Sequence, residues 1–174
     1  MRKLFLVIGF VLTLLPEAPK PTTFKVIAIA DGDSFSILKD NQKVRVRIDG
    51  IDAPEKGMPY YAVSKKYLSD LCFGKMVTVK TSKSDRYGRE VARILTPDGK
   101  DVSETMIKAG LAWHYKHYSS DKVLSNLEIS ARKQKIGLWK DKNPIAPWEI
   151  RKLHRRGIST KTYFKSGKKP AVAN

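Results

Sequence analysis

A chain of 174 residues is enough for one core with a leader and a tail to spare, and too short for several large domains. Its 34 Lys and Arg against 17 Asp and Glu give a formal net charge of +17, a surface that attracts polyanionic partners, nucleic acid before anionic lipid. A single cysteine, Cys72, excludes an internal disulfide and suits a buried structural thiol.

The chain opens with Arg2 and Lys3 ahead of a predominantly apolar region of twelve residues, Leu4 to Leu15. That is the pattern of a signal peptide over residues 1–19, too short for an ordinary membrane span. Pro16 and Pro19 make the cleavage position indistinct; an uncut leader would serve as a short N-terminal membrane tether. On either reading the folded part is exported, secreted or periplasmic. No later apolar run is long enough to cross a bilayer.

The stretch "FKVIAIADGDSFSIL" (24–38) reads as two strands around an Asp-Gly turn. In "KVRVRI" (43–48), Val44, Val46 and Ile48 share one face of a period-two pattern and Arg45 and Arg47 the other. "YYAVSKKYLSDL" (60–71) carries Val63, Tyr67, Leu68 and Leu71 at helical spacing. Two more strands, 75–81 and 90–96, flank the turn-rich "SKSDRYGR", and "TPDGK" (96–100) closes the run. A helix over 101–110 starts on an Asp101/Glu104 capping pattern and stops at Gly110; another over 119–137 places Leu124, Leu127 and Ala131 on one stripe and ends at Gly137. Three strands, a helix, two strands and two helices predict an α+β fold, a small antiparallel barrel with helices packed on it. Residues 151–174 hold eight basic side chains and no acid, so 141–174 is expected to be a basic, flexible tail, either solvated or grasping nucleic acid.

Four blocks, "DGDS" (31–34), "RIDGIDAPE" (47–55), "DRYGR" (85–89) and "GLAW" (110–113), resemble the staphylococcal nuclease (thermonuclease) family in order and spacing, and "GLW…NPIAPWE" (137–149) looks like the C-terminal end of its bacterial members. The resemblance places a nuclease domain at 23–140 and implies a five-stranded oligonucleotide/oligosaccharide-binding (OB) barrel with three helices. It also implies a calcium-dependent phosphodiesterase acting on DNA and RNA with 5′-O–P cleavage. By the same resemblance, Asp33 and Asp52 would give carboxylate oxygens to Ca²⁺ beside the main-chain carbonyl of Ala53, an oxygen set suited to a hard cation. Glu55 would be the general base, and Arg47 and Arg89 would stabilise the five-coordinate phosphate with guanidinium forks that lysine could not match. Tyr87 would lie in the substrate pocket. Asp31 reads as an ordinary turn aspartate, and Arg45 and Arg86 as general surface charge.

Trp113, Tyr115 and Tyr118 could stack on bases but read more simply as packing, and His114, His117 and His154 lack partners at zinc-ligand spacing. Single-stranded or denatured DNA and RNA are the expected substrates, read with little sequence specificity because phosphate contacts carry no base information. No obligate protein partner is implied, and a monomer is expected. The rival expectation is an OB-fold binding module without catalysis.

Overall fold

The computed structural model describes residues 22–165; the leader expected at 1–19 and the end of the chain lie outside them. Its elements run β1 (Thr23–Ile29), β2 (Ser34–Lys39), β3 (Gln42–Ile48), β4 (Ile51–Asp52), α1 (Tyr61–Cys72), β5 (Met76–Ser84), β6 (Glu90–Leu95), α2 (Val102–Lys108), β7 (Trp113–His114) and α3 (Lys122–Lys133). A 3₁₀ turn (Gly137–Lys140), α4 (Pro147–Arg155) and α5 (Thr160–Lys165) follow.

Alternation decides the barrel. Val26, Phe35, Ile37, Val46, Ile48, Val77, Ala92 and Ile94 all point inward and pack with Leu68 of α1 and Met106 and Ile107 of α2. The barrel closes in the order β1-β2-β3-β6-β5, antiparallel except where β3 meets β6 in parallel. The β2–β3 hairpin turns on Asp40 and Asn41, both in the left-handed region (φ 50° and 58°), the two-residue turn that matches strand twist. The fold is therefore the expected α+β barrel, with the added pair β4–β7 beside it.

Helix entries are tied to the barrel by charge. Asp101 caps α2 by accepting from Glu104 N, and Asp121 caps α3 by accepting from Val123 N and Leu124 N. Arg93, facing outward from β6, donates to Asp101, Asp121 and Glu104 at 2.5, 2.7 and 2.8 Å. Cys72 is buried in the core, and burial pushes its thiol up to about 12.

Residues 141–165, expected as part of a flexible tail, instead fold onto the barrel. Pro147 opens α4 at a position that tolerates proline, Ile150 is 0% exposed against Met58 and Tyr163, and the Trp148 ring stacks on Tyr115 at 5.3 Å between centroids. The basic side chains Lys152, Arg155 and Arg156 occupy the solvent side, so high charge and an apolar stripe coexist on one short helix.

Gly110 ends α2 and Gly137 begins the 3₁₀ turn, both with positive φ (63° and 56°), and their backbones touch: Leu138 N donates to Gly110 O at 2.9 Å. A Cβ at Gly137 would collide with the carbonyl oxygen of Gly110, and one at Gly110 with that of Ile136. Gly137→Ala should cost about 2–4 kcal/mol, combining left-handed strain with overpacking, and urea denaturation of the variant should show an unfolding free energy lowered by that amount at unchanged m.

Candidate active site

Where β2 begins, Ser34 lies opposite Arg47 of β3, and this register brings Asp33 beside the outward face of that strand. Asp52 is placed by the β4–β7 pair, in which it faces Trp113. The chain then turns at Pro54 and carries Glu55 back toward the barrel, with Met58 N donating to Glu55 O at 2.9 Å. Parallel pairing of Arg47 with Val91 brings Arg89, two residues earlier, to the same end of the sheet.

Arg47 stands between the two buried aspartates. Its Nη1 donates to Asp33 Oδ1 at 2.7 Å and its Nη2 to Asp52 Oδ1 at 2.9 Å and to Ile51 O at 3.1 Å. Asp33 (4% exposed) also accepts from Ser34 Oγ and from Ala53 N, both at 2.8 Å. Asp52 is 1% exposed, and burial pushes its carboxyl above the ordinary range against the pull of the arginines. For Arg47 burial works against the charge, but Asp33 and Asp52 outweigh it and hold the guanidinium protonated.

Asp33, Arg47, Asp52, Ala53 and Glu55 are thus gathered in one place. Arg89 and Tyr87 line the same cavity, of about 1020 Å³, without touching these acids. Asp85 organises their turn: it accepts from the backbone N–H groups of Tyr87 and Arg89 and from Arg89 Nε at 2.8 Å, which leaves Arg89 Nη1 unengaged by it. Tyr87 is 68% exposed, with the guanidinium groups of Arg86 and Arg89 lying 5.3 and 5.6 Å from its ring centre. Arg45 and Arg86, expected as general surface charge, face the same cavity.

Sequence reasoning missed Arg151. Counted there as tail charge, it reaches from α4 to Glu55 Oε1 at 2.6 Å and to Asp52 Oδ2 at 2.7 Å, and lies 3.4 Å from the Tyr115 hydroxyl. Its pKa is raised although burial works the other way, because the Asp52 and Glu55 carboxylates bind its charged form. The proline, tryptophan and isoleucine of "PWEIR" (147–151) were the available signal for a docked helix.

The chemistry of the donors suits a hard cation: Asp33 and Asp52 offer carboxylate oxygens, with main-chain carbonyls nearby and neither thiolate nor imidazole in the set. Among the described residues no three Asp, Glu, His or Cys side chains converge as a metal cluster, so such an ion would draw the rest of its shell from water and the main chain.

A family model described as "Staphylococcal nuclease homologue" matches residues 45–141. An "uncharacterized endonuclease" of Escherichia coli O157:H7 is 42% identical over 132 residues, which cover 76% of this chain and 85% of that protein. A "micrococcal nuclease" of Shigella flexneri is 33% identical over 158 residues, covering 84% of this chain and 91% of that protein. A "staphylococcal-like nuclease" of Arabidopsis thaliana is 44% identical over 116 residues, 67% of this chain but 36% of its own length.

Asp31 accepts from Asp33 N at 3.1 Å, as a turn aspartate should, but burial and the neighbouring Asp33 charge push its carboxyl from 3.8 up to about 6. Between those values the folded protein keeps a proton that the unfolded chain has lost. That contribution to stability is therefore full below about pH 4 and is lost as pH rises through about 6. In metal-free buffer the wild type should lose about 2–3 kcal/mol between pH 4 and 7 relative to Asp31→Asn, read from denaturation midpoints at each pH.

Proposed function

The chain belongs to the staphylococcal nuclease family and is a nuclease, and from that premise we propose that it hydrolyses DNA and RNA phosphodiesters with calcium, using Glu55 as base and Arg47 and Arg89 as phosphate-stabilising cations. The observation that carries this reading is the ion-paired cluster of Asp33, Arg47, Asp52 and Glu55, in which Asp52 is buried while the other three line a cavity that Arg89 also lines. Bound Ca²⁺, held by Asp33, Asp52 and the Ala53 carbonyl with water, would supply a positive charge to polarise the phosphate.

The chain's own residues do the rest. Glu55 takes the proton from a water as that water attacks phosphorus. Its Oε1 is held by Arg151, so Oε2 is the oxygen that receives the proton. Arg47 is fixed by its bonds to Asp33, Ile51 and Asp52, which leave its Nε–H and one Nη1–H for a phosphate oxygen. Arg89 lines the same cavity with its Nη1 not engaged by Asp85. Charge on the phosphoryl oxygens grows as phosphorus becomes five-coordinate, so both guanidinium groups bind the transition state more tightly than the ground state. The 5′-oxygen then leaves and the 3′-phosphate is retained. Single strands fit the reading best, because an open cavity lined by Tyr87, Tyr115 and Tyr118 accepts splayed nucleotides more readily than a stiff duplex.

Cleavage of denatured DNA and of RNA should appear with Ca²⁺ and vanish with chelator. Glu55→Gln should lower kcat by about 10²–10⁴-fold while single-strand binding persists. Retained salt-sensitive binding with no cleavage in any divalent ion would replace the nuclease with a binding module. In the same binding assay, affinity of the wild type should fall about tenfold or more between 50 and 200 mM salt, as released counterions require.

A further inference from the structure

Arg151 enters the site from outside the segment that matches the family model, which ends at 141. Its guanidinium bridges Asp52 Oδ2 and Glu55 Oε1 at 2.7 and 2.6 Å, with a longer contact to Asp52 Oδ1 at 3.3 Å. The bridge is built rather than incidental. Ile150, the preceding residue, is fully buried against Met58 and Tyr163, and Met58 belongs to the turn that carries Glu55. Trp148 clamps the start of α4 on Tyr115, whose ring also lies 5.8 Å from the Arg151 guanidinium.

Asp52 therefore has Arg151 as a second counter-cation beside Arg47. We infer that Arg151 is an internal counter-cation of the metal site: it neutralises Asp52 and Glu55 in the metal-free protein, and a divalent ion gains Asp52 only by displacing it. The inference rests on the proposed calcium reading. Competition of this kind weakens the ion's apparent affinity by the strength of the bond it breaks, so the site loads only where calcium is plentiful. Released from Asp52, the guanidinium would keep its Nη1 bond to Glu55 Oε1 and stay in the cavity that Arg47 and Arg89 also line.

The test is calorimetric titration of the full chain with CaCl₂, without nucleic acid, comparing wild type, Arg151→Gln and Arg155→Gln. Arg155 is exposed on the same helix and removes the same charge away from the site. Arg151→Gln should bind calcium at least about tenfold more tightly, whereas Arg155→Gln should stay within about twofold of wild type. Saturating calcium should also raise the Tm of Arg151→Gln more than that of wild type, because the variant's Asp52 has lost a counter-charge that the ion restores. Arg151→Lys keeps a cation but cannot bridge both acids, and its Kd should fall between the two; it carries the test if Arg151→Gln fails to fold. Unchanged or weaker calcium binding in the folded Arg151 variants overturns the inference and leaves the calcium reading standing. No calcium binding in any of the proteins overturns both.

Discussion

Asp52 cannot be buried as a lone anion, and much of the site's construction follows from that. It lies in a string of alternating charges, Asp33, Arg47, Asp52, Arg151 and Glu55, in which each arginine serves two acids. Losing Arg47 would strip buried Asp33 of its ion partner and halve the compensation of buried Asp52, a larger loss than a surface ion pair contributes. The string draws one member from the β1–β2 loop, one from β3, one from β4, one from α4 and one from the turn after β4. Strand register, the small β4–β7 pair and the docking of α4 therefore have a common electrostatic requirement.

The same pairing chemistry appears a second time with a different outcome. Arg93 also gathers acids, bonding Asp101, Glu104 and Asp121, two of which cap α2 and α3. None of these four side chains lines the large cavity. Access separates the two clusters: one is closed around helix termini and fixes α2 and α3 against β6, while the other faces a space large enough for a nucleotide and flanked by further cations. In a chain of net charge +17, charged clusters acquire chemistry only where substrate can reach them.

The barrel was legible because its signal is local. Period-two alternation in "KVRVRI" places Val46 and Ile48 inside and Arg45 and Arg47 outside, and the Asp101 cap and Gly110 stop bracket α2 to within two residues. The acids of the candidate site were singled out only through resemblance, since nothing local distinguishes Asp52 from a surface turn residue. The pair β4–β7 escaped notice because two-residue strands carry no period. Helix α4 was hidden by composition: Arg151, Lys152, Arg155 and Arg156 dominate the stretch, and its apolar side rests on few residues, Pro147, Trp148, Ile150 and Leu153. Average charge predicts a solvated tail, whereas the positions of those residues predict a docked one.

Reading α4 as part of the site changes where the functional unit ends. Glu55 and Arg151 are 96 positions apart, yet Glu55 is fixed from both sides: by Met58 within its own turn, and by Arg151 from a helix that packs Ile150 on that same Met58. A chain stopped near 141 would keep the barrel, both aspartates and the two arginines that the family resemblance implies. It would nonetheless leave Asp52 with half its counter-charge and Glu55 with neither ion partner nor the apolar prop beneath its turn. General-base catalysis depends on where a carboxylate points as much as on its presence. On the proposed reading of Glu55 as base, α4 belongs to the candidate site, and the matched family segment ends ahead of it.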